Sequence, residues 1–192
     1  MDFSNEISGY FGKLSNVLDK INRTQIDSFI QVLLKHYENN NNVYIFGNGG
    51  SGLTASHVVC DFNKGVCLDL DKKFKIICLN DNIASILAYA NDISYDDIFY
   101  QQLRNFLTSK DLVIGISGSG NSKNVIKAIE YAKKIGANTF SLCGFNGGKL
   151  KEIDEVNCIH VNINDMQLVE DCHMVIFHAF MQILHKHLNK IK

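Results

Sequence analysis

The sequence has no proline, no long apolar run and almost no net charge. Its apolar segments fall well short of the roughly 20 residues that a membrane-spanning helix needs. The formal net charge is -1 over 192 residues, so the composition lacks the basic excess that marks nucleic-acid-binding domains. The first residues also lack the basic and apolar segments of a signal peptide. We therefore expect a cytoplasmic protein that binds neither a membrane nor nucleic acid.

Cysteine pairs of the CxxC type are also missing, although the chain has six cysteines. They are scattered along the sequence, and several lie inside apolar runs such as the segment around Cys78. This distribution argues against a disulfide framework or a thiolate metal site. We interpret the cysteines as reduced thiols of the core.

Short apolar segments alternate with amphipathic ones through most of the chain. The alternation predicts an α/β fold, with a mostly parallel five-stranded sheet that helices cover on both faces. The predicted strands are 43–46, 74–79, 112–116, 139–143 and 157–161. The predicted helices of this unit are 51–62, 82–89, 97–107, 121–134 and 166–188.

Two amphipathic helices are predicted before the first strand. Apolar residues recur at three- and four-residue spacing in two runs across residues 3–37, which is typical of helices with one apolar face. Thr24 and Asp27 resemble a capping box at the start of the second run. Because these helices lie outside the alternating unit, we expect them to pack against a partner subunit. We therefore divide the chain into N-terminal helices, 1–40, and one α/β unit, 41–192.

Glycine- and serine-rich segments follow the first and third predicted strands. Glycine lets a backbone approach a ligand closely, the helix that follows offers free N–H groups, and serine hydroxyls add donors. Neither segment has the lysine of a Walker loop or the full dinucleotide fingerprint, so a monophosphate is favoured over a nucleotide. The alternative is that each segment is a simple tight turn. Two such loops at equivalent places in the fold favour phosphate binding over this alternative. The candidate phosphate-binding residues are Asn48, Gly49, Gly50, Ser51, Ser117, Gly118, Ser119 and Ser122.

Polar residues on two predicted helices form a candidate catalytic site. His57 and Asp61 are four residues apart and share a helix face, while Glu170 and His178 are eight apart on the last helix and point the same way. Two imidazoles and two carboxylates suit zinc or another divalent metal with nitrogen and oxygen ligands. The alternative is an exposed polar face with no metal. His173, on the last helix, is a candidate to support this site.

These segments resemble the SIS (sugar isomerase) domain family over residues 30–188. The most specific matches are Gly47–Ser51, Ile116–Ser122 and Gly144–Lys149. Within the family the resemblance is strongest to phosphoheptose isomerases, which also fit the chain length and the segment Ala90–Asp92. The resemblance implies a flavodoxin-like three-layer sandwich and a homotetramer with active sites between subunits. It also implies a zinc-dependent conversion of sedoheptulose 7-phosphate into D-glycero-D-manno-heptose 7-phosphate for surface polysaccharides.

The resemblance also implies roles for individual residues. The family's phosphate-binding serines fall on Ser51, Ser117, Ser119 and Ser122. Its zinc ligands fall on His57, Asp61, Glu170 and His178. Asp61 is the implied base, His178 the implied acid/base, and Asp92 is expected to face the sugar. Several positions depart from the pattern. Asp61 replaces a glutamate, Glu170 replaces a glutamine and Gly118 replaces a threonine, and the segments 63–65 and 167–170 also differ from the family's usual residues. Glu170 is therefore the alternative base.

These departures leave other functions to consider. One is isomerisation of a different ketose phosphate. Another is a non-catalytic SIS protein, either a sugar-phosphate sensor or an adaptor of the bacterial replication initiator, although four polar residues at the matching positions favour chemistry. A dinucleotide-linked oxidoreductase is disfavoured because the glycine fingerprint is incomplete and no acidic residue is suitably placed after the second strand.

Overall fold

A single parallel sheet organises the protein. The computed structural model describes residues 1–153 and 157–190. Its strands run in the order β2-β1-β3-β4-β5, and every neighbouring pair is parallel. This is the flavodoxin-like order, in which the direction of winding reverses between β1 and β3. The strands are β1 (Val43–Gly47), β2 (Ile76–Cys78), β3 (Leu112–Ser117), β4 (Asn138–Cys143) and β5 (Cys158–His160).

All five predicted strands are confirmed, but β2 is shorter than the predicted range of 74–79. Phe74 is buried, and its N–H donates to Cys67 Sγ at 3.3 Å instead of joining the ladder. Its ring packs against Tyr37, with centroids 4.7 Å apart. The apolar character of Phe74 therefore reflects core packing that precedes the strand, which residue type alone does not distinguish from strand pairing.

Eight α-helices surround the sheet in the described residues. They are α1 (Ser4–Lys20), α2 (Arg23–Glu38), α3 (Gly49–Cys60), α4 (Ile83–Asp92), α5 (Ile98–Phe106), α6 (Lys123–Ile135), α7 (Gly148–Ile153) and α8 (Met166–Lys190). The helical elements also include a 3-10 turn, Tyr95–Asp97, and a π-helical turn, Asp61–Val66. The sequence did not predict α7 or the π-helical turn.

The start of α2 differs from the predicted capping box. Asn22 is the capping residue, and its side-chain oxygen accepts from the N–H of Thr24 at 2.9 Å and of Gln25 at 3.4 Å. Asparagine is among the best residues at this position because its short side chain reaches the free N–H groups of the first turn. The Thr24–Asp27 interpretation was therefore wrong by two positions.

The core lies on both faces of the sheet because alternate strand residues point to opposite sides. Val43 and Ile45 face the layer that contains α2, α3 and α8. Tyr44 and Phe46 face the layer of α5, α6 and α7. The arrangement confirms the predicted three-layer sandwich, with a hydrophobic core between each pair of layers.

The two N-terminal helices differ in how deeply they are buried. On α2, Phe29 is fully buried and stacks on Phe140 with ring centroids 4.1 Å apart. No residue of α1 is buried, and Phe3, Ile7 and Phe11 are exposed. The division at residue 40 and the oligomer role of these helices stay predictions. Among the described residues, no helix has both the length and the apolar character that crossing a bilayer requires.

Candidate functional site

The two serine- and glycine-rich loops lie side by side. They follow β1 and β3, which are paired with Gly47 opposite Ile116. The strand order reverses between these two strands, and such a reversal opens the crevice in which α/β sheets of this type bind ligands. The structure therefore brings together the two loops that the sequence singled out.

The first loop leads directly into α3. Gly49 has φ +51° at the start of this helix, a conformation that favours glycine. Ser51 lies in the first turn and is buried. A helix start offers unpaired N–H groups and the positive end of the helix dipole. The loop thus has the backbone donors expected of an anion site.

The second loop gathers the other three predicted serines. Ser117 Oγ donates to Ser122 Oγ at 3.0 Å, and the N–H of Asn121 donates to Ser119 Oγ at 3.2 Å. Ser119 and Ser122 are half-buried, whereas Ser117 is buried at the end of β3. The loop ends at α6, so hydroxyl groups and the N–H groups of a helix start lie in one place, as phosphate binding requires.

Backbone contacts from residues 144–150 hold the second loop in place. Gly144 N–H donates to Gly118 O at 2.8 Å, and Leu150 N–H donates to Gly120 O at 2.9 Å. A Cβ on Gly120, which has φ +70°, would overlap the carbonyl oxygen of Gly147. The chain is therefore packed backbone to backbone, and this fit explains why glycines occupy both segments.

Three of the four predicted metal ligands form a compact group. His57 Nε2 lies 3.0 Å from His178 Nε2 and 3.3 Å from Asp61 Oδ2. His178 Nε2 lies 3.6 Å from Asp61 Oδ2. Residues on the last turn of α3, at the start of the π-helical turn and on α8 thus converge on one point. π-Helical turns often occur at functional sites.

The donor chemistry and spacing of this group suit a divalent metal. Zinc binds imidazole nitrogen and carboxylate oxygen at about 2.0–2.2 Å in tetrahedral geometry, which places neighbouring ligand atoms about 3.3 Å apart. The three ligand atoms all lie within 4.8 Å of one another, so small side-chain adjustments would satisfy that geometry. About half of each imidazole side chain is exposed, 46% for His57 and 45% for His178, which leaves a substrate access to the group.

Among the described residues, Glu170 is not part of this compact group. Its carboxylate packs against the first loop, where a Cβ on Gly50 would lie 2.5 Å from Glu170 Oε1. Its predicted role as a fourth ligand stays a prediction. The same holds for Asp92, which is exposed at the end of α4 and accepts a hydrogen bond from Asn91 Nδ2 at 2.8 Å.

His173 does not support His178. The two residues are five positions apart on α8, which places their side chains about 140° apart around the helix. His173 is only 1% exposed, and neither ring nitrogen has a hydrogen-bond partner among the described residues. Burial lowers the pKa of His173 to about 4, and the nearby Cys143 carbonyl opposes this shift only in part. His173 is therefore a neutral imidazole buried in the protein interior.

The cysteines occupy the positions that the sequence predicted, with one exception. None of the six forms a disulfide, and five of them are buried. Cys60 is exposed at the end of α3, so its interpretation as a core thiol was wrong. Burial raises the pKa of the Cys78 thiol to about 12, which keeps it protonated and unreactive.

Comparison with known proteins identifies the family. A family model described as SIS domain matches residues 9–144, most of the chain. This protein belongs to the SIS domain family. A phosphoheptose isomerase from Helicobacter pylori is 35% identical over 158 residues, 82% of this chain and 81% of the relative. Another, from Syntrophotalea carbinolica, is 32% identical over 185 residues, covering 95% and 93%. The solved phosphoheptose isomerase from Francisella tularensis superposes with a TM-score of 0.87 at 22% identity, covering 97% and 100%.

Sequence reasoning missed several parts of this SIS domain site. It treated Asn48 as a phosphate ligand but did not identify Asn124 or Tyr95 as its hydrogen-bond partners. It also missed the contact from Lys149 N–H to Asn121 Oδ1 at 3.1 Å. The clustering of asparagines beside both glycine-rich loops was the available signal, because asparagine side chains commonly bond nearby backbone groups in turns.

Proposed function

We propose that this protein is an aldose–ketose isomerase that converts sedoheptulose 7-phosphate into D-glycero-D-manno-heptose 7-phosphate for surface polysaccharide synthesis. The observation that carries the proposal is the convergence of His57, Asp61 and His178 on one point. The phosphate-binding loops begin two of the helices that flank the sheet, and one of them leads directly to His57. The names of its relatives, phosphoheptose isomerases, support a phosphorylated heptose as the substrate.

The reaction moves a proton between adjacent carbons through an enediol, which requires a base near both carbons. We assign to Asp61 the removal of a proton from C1 of the ketose and its return to C2. His178 exchanges protons with the two substrate oxygens, so that O1 loses its hydroxyl proton as O2 gains one. Glu170, whose carboxylate lies against the first loop, is the alternative base.

Zinc is the cofactor that we propose. His57, Asp61 and His178 would hold it, with Glu170 as the fourth ligand. A bound zinc ion polarises a substrate carbonyl. Metal analysis of the purified protein tests this point without measuring activity. We expect one zinc per chain in the wild type, loss of zinc in His57→Ala, and full zinc in the control His187→Ala, an exposed residue of α8. Equal zinc contents in both variants would contradict the assignment.

The central experiment follows isomerisation in deuterated water by proton NMR. We expect turnover of sedoheptulose 7-phosphate with incorporation of solvent deuterium at the reacting carbon. Asp61→Asn and His178→Ala should lose turnover by about 100-fold or more, the contribution typical of a general base or acid. His187→Ala, the same substitution elsewhere on α8, should retain it. If Asp61→Asn has normal turnover and Glu170→Gln is inactive, the catalytic base is Glu170 and not Asp61.

A non-catalytic sugar-phosphate sensor is the second candidate. The observation that favours it is that, in the part of the chain that the structure describes, the compact group of ligand atoms comprises His57, Asp61 and His178 without Glu170. A sensor binds sedoheptulose 7-phosphate in a calorimeter but incorporates no deuterium. If binding is weak as well, a panel of other ketose phosphates distinguishes an isomerase of a different sugar from a protein with no isomerase activity.

We also propose a homotetramer with active sites between subunits, in which residues 1–40 form the contact and 41–192 the α/β unit. Exposed apolar side chains support it, namely Phe3 immediately before α1 and Ile7 and Phe11 on α1, because exposed apolar patches often mark interfaces. Sedimentation velocity measures the mass directly. A monomer at micromolar concentration would contradict the proposal, and Phe11→Glu should weaken assembly without unfolding the monomer.

A further inference from the structure

A reciprocal pair of amide hydrogen bonds joins the two loops across the crevice. Asn48 Nδ2 donates to Asn124 Oδ1 at 2.9 Å, and Asn124 Nδ2 donates to Asn48 Oδ1 at 2.9 Å. Asn48 immediately follows β1, whereas Asn124 lies in the first turn of α6, after β3. Asn124 is 1% exposed, while Asn48 is half-buried. The pair therefore spans the point at which the strand order reverses.

A backbone group fixes the orientation of both amides. Val125 N–H donates to Asn124 Oδ1 at 2.9 Å. Because a backbone N–H can only donate, the oxygen of Asn124 must face Val125, and its NH₂ group must face Asn48. The Asn48 amide is thereby held with its oxygen toward Asn124 Nδ2 and its nitrogen toward Asn124 Oδ1. The hydroxyl of Tyr95 adds a second bond to Asn48 Oδ1 at 3.0 Å.

Among the contacts of the described residues, this arrangement leaves one side-chain N–H of Asn48 without a hydrogen-bond partner. Both lone pairs of its side-chain oxygen accept bonds, from Asn124 and from Tyr95. One of its two side-chain N–H groups donates to Asn124, and an amide has one further N–H to offer. Asn48 therefore presents a donor, and no acceptor, to a ligand in the crevice.

We propose that Asn124 and Tyr95 are positioning residues that orient Asn48 so that its free N–H binds an oxygen of the open-chain sugar phosphate. The proposal rests on the proposed function, since it assigns a contact to the sugar part of the ligand. The phosphate itself binds the serines of the second loop. Asn124 and Tyr95 thus affect sugar binding only by orienting the side chain of Asn48.

Asn124→Asp is the most informative variant because it keeps the size of the side chain. The carboxylate still accepts from Val125 N–H and from Asn48 Nδ2, but it cannot donate to Asn48 Oδ1. The Asn48 oxygen then faces a carboxylate oxygen, so nothing holds the Asn48 amide in one orientation. The added negative charge acts on any phosphate ligand. Binding of inorganic phosphate therefore measures the effect of the charge alone. Binding of a sugar phosphate measures the effect of the charge together with the loss of the Asn48 N–H donor.

Calorimetric titration measures both probes. The sugar probe is heptitol 7-phosphate, which is sedoheptulose 7-phosphate with its carbonyl reduced, so that it cannot isomerise. We expect Asn124→Asp to lower the affinity for heptitol 7-phosphate about tenfold more than the affinity for inorganic phosphate. This is the effect expected when one hydrogen bond is lost and one hydrogen-bonding group is left unpaired. Tyr95→Phe should weaken it about threefold, with inorganic phosphate unchanged. The matched control is Tyr100→Phe, since the Tyr100 ring packs on Tyr131 away from Asn48, and it should change neither affinity.

Equal losses for the two probes in Asn124→Asp, or unchanged affinity in Tyr95→Phe, would overturn the proposal. If the wild type binds inorganic phosphate but not heptitol 7-phosphate, the proposed substrate is wrong, and the amide pair is then tested without a ligand. Thermal unfolding of Asn48→Ala, Asn124→Ala and the double variant forms a double-mutant cycle. A double loss in Tm smaller than the sum of the single losses supports the coupling, and additive losses overturn it.

Discussion

Gly120 holds the second serine loop against the backbone of Gly147, and Gly120→Ala tests that fit. The glycine has φ +70°, and an added Cβ would lie 2.6 Å from the carbonyl carbon of Gly147 as well as overlapping its oxygen. The left-handed conformation costs an alanine about 1–2 kcal/mol, and forcing an extra carbon into a packed site costs about 1–3 kcal/mol. We expect a total loss of about 2–5 kcal/mol in urea unfolding. Inorganic phosphate affinity should fall at least about tenfold, because the loop must move.

Gly49→Ala is the matched control in the first loop. Gly49 also has a left-handed φ, +51°, but no atom lies within 4 Å of an added Cβ. Only the conformational cost of about 1–2 kcal/mol applies there. Equal losses of stability in the two variants would refute the role of the Gly120–Gly147 contact. Unchanged phosphate affinity in Gly120→Ala, despite a loss of stability, would show that the second loop does not bind phosphate.

Two further predictions concern the core. The pKa of His173 is about 4 in the folded protein and about 6.5 in the unfolded chain. The contribution of neutral His173 to the free energy of unfolding is therefore present above pH 6.5 and is lost as the pH falls. Unfolding free energy should drop by about 2 kcal/mol between pH 7 and pH 5, and His173→Leu should remove most of that dependence; an unchanged pH profile in this variant would refute the assignment. Phe29→Ala removes the ring stacked on Phe140 and should cost about 3–5 kcal/mol in urea unfolding. A loss below about 1 kcal/mol would show that α2 is not part of the core.

The sheet was predictable because each strand carries its own signal. A strand that is buried on both faces reads as an uninterrupted apolar run, and Val43–Gly47 and Leu112–Ser117 are buried throughout. The glycines after them mark where the chain turns toward a helix. β2 was less predictable, because it is an edge strand of three residues and Ile77 at its centre is exposed.

The chemistry of the site was predictable only in part. His57 and Asp61 are close in the sequence, so helical spacing alone places them on one face. Their approach to His178 depends on how α8 packs across α3, which the family resemblance supplied and local sequence does not. The amide pair of Asn48 and Asn124 also joins two distant segments, and no local pattern indicates which asparagines will meet.

The position of Glu170 makes the two loops unequal as anion sites. Its carboxylate lies against Gly50, in the first turn of α3, where the positive end of the helix dipole stabilises a negative charge. A phosphate at the first loop must therefore compete with this carboxylate or be repelled by it. The second loop has three serines, and none of the described contacts of those serines involves an acidic side chain. We therefore expect the phosphate at the second loop. The rest of the sugar would then pass Asn48 toward His57, Asp61 and His178.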